Sequence, residues 1–319
     1  MQAAYINAYG TAQKLILGEL DKPTIGPSQV LIKVVAAGVN PVDFHVRNGM
    51  LQESGYHSLP LVVGWDAAGH IVEIGAEVDQ QALSLKLDDA VYVHSPINQQ
   101  GAYAEYLAVD AHLVAPKPTS LSFVESAAVP LAALTAWQGL FNDGLLTKGQ
   151  RVLIHNASGG VGSFAVQIAK IAGAHVIATA SSKKEQFVRD LGADEFIDYT
   201  KVEFEDALDA VDLVFAAVGG NDILPRSLRV LKAGGRLVST FDELSAELAK
   251  EFKVTFSRMM VQPQKEDLQK ISDLIEQQKI SVTLDSVYPL EHAQQALERS
   301  ESARAVGKIV LNIEPSIVR

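Results

Sequence analysis

The chain of 319 residues contains no cysteine. Disulfides, thiolate catalysis and thiolate-held zinc are therefore excluded, and any redox chemistry must use a borrowed cofactor. Long apolar runs are missing as well: none approaches the roughly 20 residues needed to span a bilayer. The start, MQAAYINAYG, lacks the basic residues and apolar core of a signal peptide, so the expected compartment is the cytoplasm and no membrane partner is expected. Positive charge is in short supply. Lys and Arg number 27 against 38 Asp and Glu, a formal net charge of -11, which argues against a nucleic acid as partner. Low-complexity segments, long charge blocks and internal repeats are also absent.

What is present is ordinary globular composition, 48% hydrophobic and 20% charged. The length exceeds that of a usual single domain, so two folded units are expected. A change of period separates them. Up to about residue 120 the runs QVLIKVVAAGV, LVVGWDAAGHIVEIG and DAVYVH are short, β-rich and punctuated by Gly, Pro, Asn and Asp, which reads as a partly open β-barrel. From about residue 124, RVLIHN, HVIATA, EFIDY, LVFAAV, RLVST and VTFSRM are separated by lengths sufficient for crossovers. Six such runs predict a doubly wound parallel α/β sheet. KEDLQKISDLIEQQKI has helical spacing, and GKIVLNI is β-like again. The last strand is expected to return to the first domain, giving a discontinuous domain of residues 1–123 and 284–319 around a second one of residues 124–283.

In VLIHNASGGVGS, residues 152–163, a predicted strand breaks into small residues just before a predicted helix. Unsatisfied N–H groups and the helix dipole at such a turn favour a pyrophosphate. Ser158, Gly159, Gly160, Val161 and Gly162 are the candidate cradle, with Gly159 admitting close phosphate approach and Gly162 letting helix and strand pack. Ala157 stands where the G-x-G-x-x-G fingerprint has its first glycine. A tight Gly-rich turn without ligand is the plainer alternative. A P-loop is excluded because Gly162, Ser163 and Phe164 stand where Gly-Lys-Ser/Thr is required, and a nucleophile elbow at Ser158 would need glycine in place of Asn156.

NAD-binding proteins usually place a carboxylate at the tip of the second strand, on the ribose 2′-hydroxyl. This chain has Ser181 and Ser182 there, followed by Lys183 and Lys184. Hydroxyls and ammonium groups stabilise a 2′-phosphate, which a carboxylate would repel, so NADPH is the expected cofactor. Ser182 with Glu185 also fits a capping box, a structural reading that can hold at the same time.

AAGVNPVDFHVRNG (36–49), LPLVVGWDAAGHIVEIG (59–75), GAYAEY (101–106), AAVPLAALTAWQGL (127–140), HNASGGVGSFAVQIAK (155–170), LGADEFIDY (191–199) and GKIVLNI (307–313) follow one another in this order. Together they resemble the zinc-independent, quinone oxidoreductase-like members of the medium-chain dehydrogenase/reductase superfamily, essentially from end to end. The resemblance implies a GroES-like catalytic domain, a Rossmann domain and a cleft between them, and by analogy a homodimer through the Rossmann sheet edge. In zinc alcohol dehydrogenases of that superfamily a cysteine stands at the position of Asn40, a histidine at that of Trp65 and a cysteine near that of Leu131. None of the three remains a plausible zinc ligand, the four cysteines of a structural-zinc lobe are missing, and the eight histidines show no HExxH-like spacing.

Without a Lewis acid, hydrogen-bond donors must stabilise a developing oxyanion. This favours quinones and conjugated enones, which accept hydride to give a delocalised phenolate or enolate. The candidate catalytic residues are Asn40, His45 and Trp65. Asn40, with Pro41 and Asp43, also fits a helix cap; the resemblance implies that Asn40 faces nicotinamide and substrate. His45 falls where relatives often carry tyrosine and is a candidate proton donor. Trp65 is expected to wall the cleft for a flat substrate. The resemblance also implies cofactor contacts at Thr135, Tyr199, Val218 and Gly219. Lys308 could reach the cleft or equally be a lysine that discourages edge pairing. An enoyl-thioester or alkenal reductase and a non-catalytic NADPH-binding protein remain alternatives to a quinone or enone reductase.

Overall fold

The structure is a computed structural model that describes residues 1–314. In chain order the strands are β1 (Gln2–Ile6), β2 (Leu15–Glu19), β3 (Gln29–Val39), β4 (Leu61–Val62), β5 (Asp66–Ile74), β6 (Ala90–His94), β7 (Tyr106–Asp110) and β8 (Ala115–Pro116). They continue as β9 (Arg151–His155), β10 (His175–Ala180), β11 (Glu195–Asp198), β12 (Val211–Ala216), β13 (Leu231–Ser239), β14 (Thr255–Arg258), β15 (Leu284–Pro289) and β16 (Lys308–Asn312). The helices are α1 (Pro41–Arg47), α2 (Gln80–Leu83), α3 (Phe123–Ala127), α4 (Pro130–Gln138) and α5 (Gly160–Ile171). After these come α6 (Glu185–Asp190), α7 (Ile223–Leu228), α8 (Ala246–Glu251), α9 (Lys265–Glu276) and α10 (Ala293–Glu301).

The chain forms two compact units, one of residues 1–131 with those from Gln262 on, the other Ala132–Val261. In the first, β15-β16-β3-β5-β6-β8 form one sheet, with β7 also paired to β3, and β2-β1-β4 form a second. The sheets share one core that includes Ile6, Val62, Ile32, Trp65, Ile71 and Tyr103. β16 does return to this unit, pairing antiparallel with β3 so that Ile309 lies opposite Val39. Gly38 lies opposite Asp66, and Asp66 opposite His94. Four strands thus bring the start of β16, the end of β3, the start of β5 and the end of β6 to one side of the sheet.

The expected domain boundaries move. Leu268, Ile271 and Ile275 of α9 are three and four residues apart, which puts them on one buried face. The Tyr92 hydroxyl of β6 donates to the Leu268 carbonyl at 2.7 Å, and Lys265 Nζ donates to the Leu83 carbonyl at 2.6 Å. α9 therefore belongs to the first unit, although the strand-helix alternation places it in the second. α3 packs on β3 and β5 and joins the first unit as well.

The second unit contains all six expected strands in the order β11-β10-β9-β12-β13-β14, every neighbour parallel. Val152, Leu153 and Ile154 of β9 and Leu213, Val214 and Phe215 of β12 are buried, as near-continuous apolar strands must be when helices cover both faces. The chain winds outward from β9 through β10 to β11, then returns to β12. The switch point lies beside β9, where doubly wound sheets bind ligands outside their strand ends. No helix among the described residues is long and apolar enough to cross a membrane.

Candidate active site

Asn40 follows β3 and leads into α1 in extended conformation (φ -135°, ψ 153°), with Pro41 at the first helical position, where its missing N–H and fixed φ are suited. Asp43 Oδ2 accepts from the Asn40 backbone N–H at 2.8 Å. Asn40 and Asp43 form a capping box at the start of α1, and the Asn40 side chain is also held at both ends by other strands. Its Nδ2 donates to Asp66 Oδ2 at 2.8 Å, and its Oδ1 accepts from Lys308 Nζ. Lys308 also donates to the Val39 carbonyl at 2.8 Å. Asp66 accepts from the Leu131 backbone N–H, 3.0 and 3.1 Å from its two oxygens, and its Oδ1 lies 2.9 Å from His94 Nδ1.

These groups are withdrawn from water: Asp43 and Asp66 are 0% exposed, Asn40 1%, His94 2% and Lys308 4%. Burial pushes the Asp43 carboxyl up to about 7, against hydrogen bonds from Tyr103 and the Asn40 N–H that favour its charged form. The Tyr103 hydroxyl, 2.7 Å from Asp43 Oδ2, is pushed upward by burial and then by the charge of Asp43. Burial pulls the Lys308 ammonium down, opposed by the charges of Asp66 and Asp43. Carboxylates and an ammonium are tolerated in such a place only when paired and hydrogen-bonded.

The other two candidates in this unit fare differently. His45 is half-buried on α1 with its ring tilted against Phe44, centroids 4.3 Å apart. Burial lowers its pKa, opposed by Glu301 of α10, so near neutral pH it carries less of the proton expected of a donor. Trp65 is 0% exposed in the core, and its indole N–H donates to the Gln99 carbonyl at 3.0 Å. A side chain with no accessible face fills the barrel and walls nothing, so the expected substrate wall is corrected. Lys308 is no edge lysine, since β16 has neighbours on both sides. Asp66 and His94 escaped notice in the sequence, although a carboxylate inside the apolar run LVVGWDAAG was a signal.

In the second unit the turn after β9 opens α5. Asn156 is left-handed (φ 55°), Gly159 is the N-cap of α5, and that helix runs 12 residues. The amides of its first turn have no partner within the helix, and no acidic side chain occupies that turn. A Cβ on Gly162 would lie 2.1 Å from the Asn156 carbonyl oxygen, so helix and strand approach as closely as the fingerprint requires. Asn156 Nδ2 donates to the Ala217 carbonyl at 3.2 Å and ties this turn to the one carrying Val218 and Gly219 after β12. Ser158 is buried beside the turn.

Ser181 leads a 3₁₀ turn of Ser182, Lys183 and Lys184 at the end of β10. The alternative capping box is not formed. Ser182 donates to Asp198 Oδ2 and Glu185 Oε1 accepts from Arg189 Nε at 2.9 Å. Asp198 also accepts from Thr200, and the hydrogen bonds of Ser182 and Thr200 hold its carboxyl well below the usual range. Tyr199 beside it is 60% exposed. The structure thus places the Ser158–Gly162, Ser181–Lys184, Tyr199 and Val218–Gly219 groups after the carboxyl ends of four adjacent strands. Thr135 is buried on α4, apart from these strand ends in sequence.

Residues 26–119 match the family model described as alcohol dehydrogenase GroES-like domain, and residues 191–311 the one described as zinc-binding dehydrogenase. Fold and matches together define an alcohol-dehydrogenase-like class. The chain is 37% identical to the 2-methylene-furan-3-one reductase of Solanum lycopersicum, over 99% of this chain and 80% of that protein. It is also 37% identical to the chloroplastic NADPH-dependent alkenal/one oxidoreductase of Arabidopsis thaliana, over 98% of this chain and 79% of that one. The solved quinone oxidoreductase from Coxiella burnetii superposes with a TM-score of 0.92 at 32% identity, covering 98% of this chain and 99% of that one. The chain belongs to the quinone oxidoreductase-like family of the medium-chain dehydrogenase/reductase superfamily.

Proposed function

We propose that the protein is an NADPH-dependent reductase that adds hydride to a quinone or an α,β-unsaturated carbonyl without a metal ion. Relatives named as alkenal/one, furanone and quinone reductases support the substrate class. The metal-free part rests on one observation: at Asn40 the side chain is an amide fixed at both ends by Asp66 and Lys308. No group of three or more His, Asp or Glu among the described residues could hold a metal ion.

NADPH, when bound, supplies a hydride from C4 of its nicotinamide. The N–H groups of Gly160, Val161 and Gly162, with Ser158, would hold its pyrophosphate at the start of α5, with Gly159, whose own N–H is on the Asn156 carbonyl, admitting close approach; Ser181, Lys183 and Lys184 would hold its 2′-phosphate, joined by Ser182 once its hydroxyl leaves Asp198. Tyr199, Thr135, Val218 and Gly219 complete that role. An amide nitrogen carries two protons; Asp66 takes one from Asn40 and leaves the other to donate to an acceptor carbonyl. The Lys308 ammonium on Oδ1 draws charge from the amide and strengthens that donor. A donor aimed before reaction stabilises the oxyanion without reorganising. An outer strand of the six-stranded parallel sheet, β11 or β14, is the edge we assign to a second copy of the chain.

NADPH consumption by the purified protein with a panel of quinones, enones and enoyl thioesters tests this. Steady turnover of the first two classes is expected. NADPH binding without turnover on any acceptor would favour a sensor, preference for thioesters would move the substrate class, and stoichiometric zinc would overturn the metal-free mechanism.

A further inference from the structure

Enone reduction needs a proton as well as a hydride, a role for which the sequence offers His45. A second imidazole is built into the polar row. His94 ends β6 opposite Asp66, its side chain is 1% exposed, and Nδ1 lies 2.9 Å from Asp66 Oδ1. A carboxylate oxygen only accepts, so the Nδ1 proton is fixed on the Asp66 side and the ring orientation with it. Nε2 has no hydrogen-bond partner among the described residues, yet it is not among the polar atoms sealed from solvent without one, as the neighbouring Ser95 Oγ is.

The buried histidine of the second unit makes the contrast. His155 has both nitrogens occupied, Nδ1 by Thr179 Oγ1 at 3.2 Å and Nε2 by Ser227 Oγ at 3.1 Å. That is the arrangement of a ring that serves packing. His94 instead has one nitrogen on a buried carboxylate and the other open, the arrangement of a base–orienter pair. The carboxylate that orients it is the one that holds Asn40, so donor amide and imidazole hang from the two oxygens of a single residue.

We propose that His94, oriented by Asp66, delivers the proton that completes enone reduction. The inference rests on the reductase reading above. Hydride from NADPH forms the new C–H bond at the β-carbon, the C=C pair moves toward the carbonyl, and an enolate forms with its oxygen on Asn40. His94 enters this step as the imidazolium, with N–H on both nitrogens; the Nε2–H bond breaks, its proton goes to the α-carbon, the nitrogen keeps the electron pair, and the ring is left neutral with its Nδ1–H on Asp66. Solvent restores the proton. A quinone needs no such step, because its product is a phenolate that takes protons from water at oxygen, where transfer is fast.

His94→Asn preserves an N–H toward Asp66 and removes Nε2. The kcat ratio of enone to quinone is expected to fall by roughly 10²-fold in this variant, the scale of general-acid assistance, with NADPH affinity and Tm measured alongside to establish folding. A ratio within about threefold of wild type would overturn the proposal, since a merely structural histidine would lower both activities together. Wild-type turnover in D₂O supplies a readout that needs no variant: deuterium is expected on one face of the α-carbon, and racemic labelling would overturn the proposal. Wild-type protein that reduces neither acceptor would remove the reductase reading and this proposal with it; turnover without the split removes this proposal alone.

Discussion

Lys308 donates to the side-chain carbonyl of Asn40 across 268 residues of sequence, and both are almost wholly buried. The ammonium is a cation held close to the buried carboxylates Asp43 and Asp66. Lys308→Met should therefore destabilise the protein by about 3–5 kcal/mol in urea unfolding, the scale for leaving a buried charge unpaired. Adding Asp66→Asn should recover part of that loss. A single variant as stable as wild type would refute the pairing.

Cofactor choice is tested at Ser181, at the end of β10. Ser181→Asp should shift the ratio of kcat/KM for NADPH over NADH toward NADH by at least about tenfold, roughly 1.4 kcal/mol. An unchanged ratio would show that the 2′-phosphate is bound elsewhere.

Gly162→Ala places a methyl group 2.1 Å from the Asn156 carbonyl oxygen. Strand and helix must move apart, at about 1–3 kcal/mol. A lower Tm together with weaker NADPH binding is expected. Wild-type affinity in a folded variant would separate this turn from the cofactor.

His155 gives a pH signature. Burial, aided by Arg226, pushes its imidazole from 6.5 down to about 3. Between those values the unfolded chain takes a proton that the folded one refuses, so the contribution of His155 is intact above pH 6.5 and is lost as pH falls toward 3. The stability advantage of wild type over His155→Gln should shrink by about 2 kcal/mol from pH 7 to pH 5. The comparison must be between variants, because Asp43, raised in the fold, works in the opposite sense over part of this range. A constant difference would mean that the folded ring accepts the proton.

The second unit was readable in the sequence because its signals are local. Each strand of the parallel sheet is a short apolar run, and the turn before α5 advertises itself through Gly159, Gly160 and Gly162. The first unit was readable in outline only. Asn40 stood out through the family resemblance, its cap-like context being the plainer alternative, but its partners Asp66, His94 and Lys308 are set by strand register, which brings together residues 26 to 268 positions apart. Trp65 misled because the resemblance places it at a ligand position, whereas the packing just before β5 buries it in the core. The boundary at α9 failed because an amphipathic helix announces that it has a buried face without saying against which sheet.

The strand that completes the polar row is also the one made last. A chain emerging from the ribosome carries Asn40, Asp66 and His94 long before Lys308, so Asn40 Oδ1 and the carboxylates beside it wait for that ammonium. The polar row is whole only once β16 closes against β3.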